Sequence, residues 1–389
     1  MAFLTFSPFS RYCHHLGKRR SFGEVSALTT QESERLMNSI LVTGGCGFIG
    51  SNFIHYLLEA EPQAAVVNFD CLTYAGNLAN LVAVAENQNY RMVRGDVCDA
   101  HAVEEAMRDC VAVVHFAAES HVDRSIYEPA PVVETNVTGT LVLLQVARKL
   151  SIARFVHIST DEVYGDLPPD GFATEQSALQ PSSPYAASKA AADLLVASYV
   201  RTYAFPALIT RSSNNYGPCQ FPEKFLPLMI SNALEGKPLP IYGDGRQQRD
   251  WLHVKDNCRG ILAALEHGRV GEVYNIGGLQ VEENLAMAHK LLNIMMLPET
   301  LLSHVSDRPG HDRRYALDCK KMEHELGWKP IISLDQGLRE TIDWYSANSE
   351  WMACVRTGAY RSYYEKYYEN RDSSLKAIAQ ASQTTYAHP

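Results

Sequence analysis

A glycine-rich segment near the start of the chain constrains the fold more than any other feature: Thr43-Gly44-Gly45-Cys46-Gly47-Phe48-Ile49-Gly50. It follows a short apolar run at residues 39–43, predicted to be a strand, and opens a run at 48–59 with helical spacing. In this G-x-x-G-x-x-G pattern the first glycine permits a tight turn, the second admits a pyrophosphate, and the third packs helix on strand. A helix N-terminus also favours an anion. The segment therefore predicts the first strand–turn–helix unit of a dinucleotide-binding fold.

Strand and helix patterns alternate after this segment. Strands are predicted at residues 64–70, 90–93, 111–116 and 155–159, and helices at 101–108 and 135–150. Strands separated by helices indicate βαβ units and a parallel sheet. The predicted fold class is therefore α/β, a Rossmann-type doubly wound parallel sheet.

The pattern changes after about residue 215, where prolines separate shorter elements. We predict a smaller C-terminal substrate-binding lobe that is interleaved with late sheet strands such as residues 272–276. The predicted domains are a dinucleotide-binding domain at 37–215, the substrate lobe at 216–350, and a C-terminal segment at 351–389 with a polar tail after about 370. Residues 1–36 are predicted to be a disordered extension or an over-long start, because Met37 directly precedes the first strand. Their basic, acid-poor composition also weakly resembles a transit peptide.

Composition excludes several classes of protein. The formal net charge is -9 and no basic stripe appears, which argues against a nucleic-acid partner. No apolar run approaches the ~18 residues of a membrane span. The nine cysteines contain no C-x-x-C pair and the histidines no H-E-x-x-H, so we expect reduced thiols, no metal and a cytoplasmic protein.

The end of the second predicted strand indicates which dinucleotide is bound. Asp70 stands there, 20 residues after Gly50. A carboxylate at this place accepts hydrogen bonds from ribose hydroxyls and repels a 2′-phosphate, which favours NAD over NADP. Asp96 and Val97, after the third strand, are expected to border the adenine.

A second motif concerns chemistry. Ser183 and Pro184 predict the start of a helix, which places Tyr185 and Lys189 on one face as i and i+4. A tyrosine with a pKa of about 10 is a poor base, so we expect a nearby ammonium and a nicotinamide cation to lower that pKa. With Ser159-Thr160 at the end of an intervening strand, the pattern is typical of a short-chain dehydrogenase. Its tyrosine takes a hydroxyl proton as hydride leaves the same carbon.

Longer segments carry a family resemblance. Thr160-Asp161-Glu162-Val163-Tyr164-Gly165 resembles the signature of the dTDP-glucose 4,6-dehydratases, in the extended short-chain dehydrogenase family. The likeness runs from about Asn38 to Arg371, nearly the whole chain apart from its ends. Further matching segments are residues 70–77, 117–125, 211–218, 222–224, 249–251 and 307–315.

The resemblance implies conversion of dTDP-glucose to dTDP-4-keto-6-deoxyglucose and water with tightly bound NAD. Oxidation at C4 acidifies the C5 proton; a base removes it while an acid protonates the C6 hydroxyl, and hydride returns to C6. By resemblance Glu162 is the C5 base, Asp161 is the C6 acid, and Thr160 hydrogen-bonds O4. Asp161 must hold a proton near neutrality, so we expect burial or Glu162 to raise its pKa.

The ligand-binding residues are implied in the same way, with Arg249 and Arg308 chosen for the diphosphate because guanidinium forks match phosphate oxygens. A homodimer is also expected, through a four-helix bundle of residues 135–150 and 184–203. The expected cofactor residues are Gly44, Gly47, Phe48, Ile49, Gly50, Asp70, Cys71, Leu72, Thr73, Asp96, Val97, Ala117, Ala118, Ser120, Thr135, Tyr185, Lys189 and Asn215. The expected substrate residues are His121, Thr160, Asn214, Lys224, Phe225, Pro240, Tyr242, Arg249, Asn284, Asp307, Arg308, His311 and Tyr315.

Three alternatives stay open at this point. A UDP-glucose 4,6-dehydratase differs in its substrate by one methyl group on the base. A UDP-sugar 4-epimerase would need the tyrosine, the lysine and a hydroxyl, but not the two carboxyl groups. A non-catalytic NAD-binding protein of this fold is disfavoured because Tyr185, Lys189 and both acids are present.

Overall fold

The computed structural model describes residues 39–356. The predicted N-terminal extension and polar tail lie outside these residues. Twelve strands are described: β1 (Ile40–Thr43), β2 (Val66–Asp70), β3 (Tyr90–Arg94), β4 (Ala112–His115), β5 (Arg154–Thr160), β6 (Ala207–Ser212), β7 (Asn214–Tyr216), β8 (Leu239–Tyr242), β9 (Gln248–His253), β10 (Val273–Ile276), β11 (Val281–Glu283) and β12 (Leu302–Val305).

The helices of the described part follow most of these strands. They are α1 (Phe48–Ala60), α2 (Ala100–Met107), α3 (Val122–Tyr127), α4 (Pro129–Val133), α5 (Thr140–Lys149), α6 (Pro184–Tyr203), α7 (Phe225–Leu234), α8 (Val254–His267), α9 (Asn284–Met295), α10 (Lys320–Leu326), α11 (Leu334–Ala347) and α12 (Ser349–Val355).

The main sheet has seven strands in the order β10-β6-β5-β4-β1-β2-β3. All its neighbouring strands are parallel. The order reverses at β1, from which the chain goes first to β2 and β3 and then back to β4. Ligands of doubly wound sheets bind at such a switch point, outside the carboxyl ends of the strands. The predicted α/β class and parallel sheet are confirmed.

Helices cover both faces of this sheet, which explains its nearly continuous apolar strands. Because side chains alternate along a strand, Ile40 and Val42 point to one face and Leu41 to the other. The first face packs on α1 and α8, through side chains such as Phe53. The second face packs on α2, α5 and α6, through side chains such as Leu143.

The helix predicted over residues 135–150 is wrong at its start and in its continuity. The helical run begins at Pro129 with α4, widens into a π-helical turn at Glu134–Gly139, and continues as α5. Within the turn the Asn136 side chain faces inward, where it accepts from the Glu119 N–H at 2.9 Å and donates to Ser188 Oγ at 2.8 Å. Such turns occur often at functional sites.

The later part of the chain builds a second layer beside the main sheet. It has one sheet in the order β11-β9-β7 and a two-stranded sheet of β12 and β8. Helices α7, α9 and α11 enclose its apolar core, which includes Leu226, Met287 and Leu338. The strand predicted near residues 272–276 is present as β10, which returns to the main sheet and pairs with β6.

Two further observations concern the described residues as a whole. None of the helices between residues 39 and 356 combines the length and the apolar character that crossing a bilayer requires. Over the same residues, no group of three or more His, Cys, Asp or Glu side chains is arranged to hold a metal ion.

Candidate active site

One continuous cleft lies at the carboxyl ends of β1, β2, β4, β5 and β6. It joins the glycine-rich loop to the Thr160-Asp161-Glu162 turn and to the start of α6. The two motifs singled out in the sequence, more than 100 residues apart, therefore open into the same space.

The glycine loop leaves no room for side chains on its inner surface. Gly44 has a φ of +70°, and a Cβ there would lie 2.6 Å from the Ala117 backbone nitrogen. A Cβ on Gly50 would lie 2.4 Å from the Gly44 carbonyl oxygen. The N-cap residue of α1 is Gly47, which has no side chain to cap the helix. The first N–H groups of α1 are therefore free to bind an anion. These features fit a dinucleotide pyrophosphate.

Asp70 is held rigidly at the end of β2. Its Oδ1 accepts from the Leu72 N–H at 2.8 Å and its Oδ2 from the Cys46 N–H at 2.9 Å. The carboxyl group is buried, and desolvation raises its pKa against the lowering effect of these two bonds. Each oxygen keeps a lone pair, so the group fits the pair of ribose hydroxyls expected there.

Nearly all of the predicted cofactor residues line this cleft. Leu72 does not: its backbone has a φ of +57° and its side chain packs against the core. Asn215 and the substrate candidate Asn214 both line the cleft. The side-chain amide oxygen of each is buried and has no partner among residues 39–356. The cofactor candidates that line it are Gly44, Gly47, Phe48, Ile49, Gly50, Asp70, Cys71, Thr73, Asp96, Val97, Ala117, Ala118, Ser120, Thr135, Tyr185, Lys189 and Asn215.

The predicted helix start positions the tyrosine and the lysine. The Ser183 side chain accepts from the Ala186 N–H at 3.1 Å and caps α6, and Pro184 is its first residue. Lys189 is 4% exposed and donates from Nζ to the Ile158 carbonyl at 2.7 Å. Burial lowers its pKa to about 8, against the opposing charge of Asp193 one turn further along α6.

The expected lowering of the Tyr185 pKa is wrong for the polypeptide alone. Its pKa is raised, because the ring is buried and the carboxylates of Glu162 and Asp161 disfavour a phenolate. The Lys189 ammonium, directed at the Ile158 carbonyl, does not offset these effects. Activation of Tyr185 therefore depends on additional positive charge in the cleft.

Strand β5 ends in the turn that carries the two acids. Thr160 Oγ1 accepts from the Glu162 N–H at 3.2 Å and donates to Asp161 Oδ1 at 3.2 Å. The following residues, Asp161–Tyr164, form a single 3₁₀ turn. This local geometry brings Thr160, Asp161 and Glu162 together in the cleft beside Tyr185.

The two adjacent carboxyl groups differ in their electrostatic surroundings. Burial, then the charges of Glu162 and Asp250, raise the pKa of Asp161 well above its ordinary value. Burial also raises the pKa of Glu162, but Arg308, Lys224 and Arg249 all oppose this increase. The raised pKa of Asp161 agrees with the expectation that it holds its proton, while the three cations favour the ionised form of Glu162.

The two arginines chosen for the diphosphate are both anchored. Arg249 donates to the Asp312 carbonyl at 2.9 Å, and its guanidinium lies over the Tyr315 ring, 4.4 Å from Cζ to the ring centroid. Arg308 donates from Nη1 to Asp123 at 2.8 Å, while its buried Nε has no partner among the described residues. Arg308 thus keeps a donor for a ligand oxygen.

The other substrate candidates are distributed over two regions. Thr160, Asn214 and Lys224 line the cleft. His121 instead caps helix α3, where its Nδ1 accepts from the Arg124 N–H at 3.3 Å. The candidates that do not line the cleft are His121, Phe225, Pro240, Tyr242, Arg249, Asn284, Asp307, Arg308, His311 and Tyr315.

Several cleft residues were not anticipated. Glu119, Gln220, Phe221 and Glu223 line it, and Asn136 supports it from behind by bonding to both backbone groups of Glu119. None of them belongs to a motif with a periodic spacing. For Glu119, Gln220 and Glu223, the only signal that could have indicated a place in the cleft was a polar side chain beside apolar residues.

This arrangement can support two kinds of proton transfer. Tyr185, Thr160 and Lys189 surround a position suited to a substrate hydroxyl that is oxidised. Asp161, whose pKa is raised well above its ordinary value, and Glu162, near which three cations oppose the increase, could serve as an acid and a base for removing water from the neighbouring carbons. A simple alcohol oxidation needs only the first set.

Known proteins resemble this chain over most of its length. Residues 41–341 match the family model described as GDP-mannose 4,6 dehydratase. The dTDP-glucose 4,6-dehydratase of Salmonella typhimurium is 48% identical over 361 residues, covering 85% of this chain and 99% of the relative. That of Xanthomonas campestris pv. campestris is 46% identical over 346 residues, covering 84% and 98%.

Solved structures show the same likeness. The dTDP-glucose 4,6-dehydratase DesIV from Streptomyces venezuelae, with NAD and TYD bound, has a TM-score of 0.80 and 48% identity, covering 82% of this chain and 99% of that one. The UDP-glucose 4-epimerase of Thermotoga maritima has a TM-score of 0.75 and 30% identity, covering 80% and 99%. Both kinds of enzyme share the fold.

Proposed function

This chain belongs to the dTDP-glucose 4,6-dehydratases, within the family described as GDP-mannose 4,6-dehydratase, and from that premise we propose how it acts. It converts dTDP-glucose to dTDP-4-keto-6-deoxyglucose and water. The observation that carries the proposal is the buried Asp161–Glu162 pair, whose two carboxyl groups have different charged neighbours, beside Tyr185 and Lys189 in one cleft.

The cofactor is NAD, which fits the residues of the cleft. The glycine loop and the start of α1 would hold its pyrophosphate, and Asp70 its ribose hydroxyls. When bound, NAD supplies an acceptor for the C4 hydride and a donor for its return to C6, and its positive nicotinamide ring supplies the charge that favours a Tyr185 phenolate.

Tyr185 and Lys189 act on the sugar hydroxyl at C4. Tyr185 takes the hydroxyl proton as the hydride leaves C4, which becomes a ketone. Thr160 orients the same oxygen, and Lys189 keeps positive charge close to the tyrosine. These residues handle only the proton and the orientation of the oxygen, while the two electrons leave C4 with the hydride to the bound dinucleotide.

The acid pair then removes water. Glu162 takes the C5 proton, which the C4 ketone has acidified, and Asp161 gives its proton to the C6 hydroxyl, so that the C6–O bond breaks and a C5–C6 double bond forms. Hydride returns to C6 and a proton to C5, which restores a saturated sugar. An epimerase needs no acid pair, because its sugar loses no water.

The direct test is to incubate the purified protein with dTDP-glucose and with UDP-glucose, without added reductant. We expect a 4-keto-6-deoxy sugar from dTDP-glucose, seen by NMR, and no net NADH at 340 nm. Faster conversion of UDP-glucose than of dTDP-glucose would show that UDP-glucose is the preferred substrate. A product epimerised at C4 that keeps its C6 oxygen would contradict dehydration.

We also propose a cytoplasmic homodimer. Leu194, on the helical segment 184–203 expected to contribute to a four-helix bundle, is 63% exposed, which supports a partner surface. Seven cysteines of the described residues form no disulfide, as expected in a reducing compartment: Cys46, Cys71, Cys98, Cys110, Cys219, Cys258 and Cys319. Light scattering after gel filtration tests the dimer, and Leu194→Glu should yield a monomer.

A further inference from the structure

The loop that follows β2 forms one wall of the cleft. Within residues 71–77, Cys71, Thr73, Ala75 and Gly76 line the cleft. Tyr74, at the centre of this loop, is not among the lining residues and contacts residues of two distant segments, 119–124 and 220–224. Both segments contribute lining residues of their own, and we call them together the opposite wall.

Tyr74 is held there by two aromatic contacts. The Arg124 guanidinium lies over its ring, 3.7 Å from Cζ to the ring centroid. The Phe221 ring meets it edge-on at 5.6 Å between centroids. The Tyr74 side chain also hydrogen-bonds the carboxyl groups of Glu119 and Glu223.

Arg124 is itself fixed by a buried acid. Its Nε and Nη2 both donate to Glu223 Oε2, at 3.2 and 3.1 Å. The Glu223 side chain is only 2% exposed. Next to it, Lys224 donates from Nζ to the Ser120 carbonyl at 2.6 Å, which ties the 119–124 and 220–224 segments together. Tyr74, Arg124 and Glu223 therefore connect three segments of the chain across the cleft, and we call them the Tyr74 latch.

We propose that the Tyr74 latch retains the dinucleotide during turnover by holding the 71–77 loop against the opposite wall. This inference rests on the proposed function, in which the hydride taken from C4 must return to C6 of the same sugar. If the reduced cofactor left between these steps, the sugar would stay oxidised and the catalytic cycle would not be completed. Tyr74, Arg124 and Glu223 are positioning residues, since they lie outside the reacting groups.

The test measures cofactor exchange on the full chain. Protein is purified with its bound nucleotide, mixed with isotope-labelled NAD, and sampled over time for bound label. Tyr74→Leu and Arg124→Met should exchange about tenfold faster or more, because the cation–π contact and its charged hydrogen bonds are lost. Tyr74→Phe keeps the ring contacts and should fall between these variants and the wild type.

A second readout separates retention from folding. With dTDP-glucose, the fast-exchanging variants should release NADH that lactate dehydrogenase and pyruvate can oxidise, and added NAD should restore their activity. If Arg124→Met unfolds because Glu223 is left buried without its partner, the double variant Arg124→Met/Glu223→Gln replaces it. A lower thermal unfolding temperature of Arg124→Met than of the wild type would identify an unfolded or destabilised variant.

Arg148→Met is the matched control. Arg148 stacks on Tyr203 with 4.2 Å from Cζ to the ring centroid, at the ends of α5 and α6, and neither lines the cleft. Its exchange should equal that of the wild type; if it rises as much as in Arg124→Met, the latch is overturned.

Folded Tyr74→Leu and Arg124→Met proteins that exchange within about twofold of the wild type would also overturn it, while their dehydration of dTDP-glucose would leave the proposed function intact. A wild-type protein that holds no NAD or does not dehydrate would overturn both.

Discussion

The turns at the ends of β2 and β5 and the cations near the cleft are held by contacts of different range. In the turns, Thr160 Oγ1 bonds to Glu162 two residues away, and Asp70 to Leu72 likewise. Among the cations, Arg308 pairs with Asp123 across 185 residues, and Lys224 with Ser120 across 104. Short-range bonds thus shape the turn that carries Asp161 and Glu162, whereas long-range contacts place the cations that influence the protonation of these carboxyl groups.

The largest effect should follow from removing a reacting group. Glu162→Gln should lower dehydration by about 10²–10⁴-fold, as expected for loss of a general base. Oxidation at C4 should continue, because Tyr185 and Lys189 are unchanged. Rapid mixing with dTDP-glucose should show NADH forming at 340 nm without the 4-keto-6-deoxy product.

The matched control is Glu86→Gln, which changes an exposed carboxylate and should behave as the wild type. If Glu162→Gln dehydrates normally, the base is another group. The turn after β5 would then not carry the base of the dehydration, and the contrast between short-range bonds for the reacting groups and long-range contacts for the cations would fail.

A smaller effect should follow from removing a cation. Glu162 must be ionised to act, and Arg308 lowers its pKa. Arg308→Gln should therefore raise that pKa, so that activity is lost at a higher pH as the solution is acidified. The alkaline limb, on which Asp161 loses its proton, should not move, because Arg308 is not among the main influences on Asp161.

Arg249→Gln sharpens this prediction. Arg249 lowers the pKa values of both Asp161 and Glu162, so its removal should move both limbs of the kcat–pH profile to higher pH. The profile of each variant is measured with saturating dTDP-glucose. An Arg308→Gln profile that shifts on both limbs would contradict the assignment of the two carboxyl groups.

The smallest effect should come from a single cap. Ser183→Ala removes the bond to the Ala186 N–H at the start of α6 and should lower the free energy of unfolding by about 1 kcal/mol. Urea denaturation measures this change, and Ser183→Thr, which can keep the cap, is the control. A loss of several kcal/mol would mean that Ser183 supports more than its own helix.

Sequence patterns were sufficient where function depends on near neighbours. Gly44 to Gly50, Tyr185 with Lys189, and Thr160 to Glu162 are all short segments whose spacing has one structural meaning. Their meeting in one cleft followed from the parallel sheet, whose strands carry them on the same edge.

The remaining features depend on contacts that spacing does not encode. Asp161 and Glu162 are adjacent, so spacing alone does not distinguish them. In the fold, Asp250 raises the pKa of Asp161, whereas Arg308 and Lys224 lower that of Glu162. The π-helical turn at Glu134–Gly139 was missed because spacing does not encode the bond that its Asn136 makes to Glu119, in another loop. Tyr74 and Glu223 likewise meet only in the folded chain.

The position of β10 has a consequence for how the protein can be made. This strand, at residues 273–276, covers the outer side of β6, whose residues are all buried. A polypeptide that ends near Tyr216 would leave β6 as a bare, apolar edge, the kind of surface that pairs with other chains and aggregates. The dinucleotide-binding sheet is therefore complete only after residues 273–276, within the substrate lobe, have left the ribosome, and versions of this protein that end before them should be insoluble.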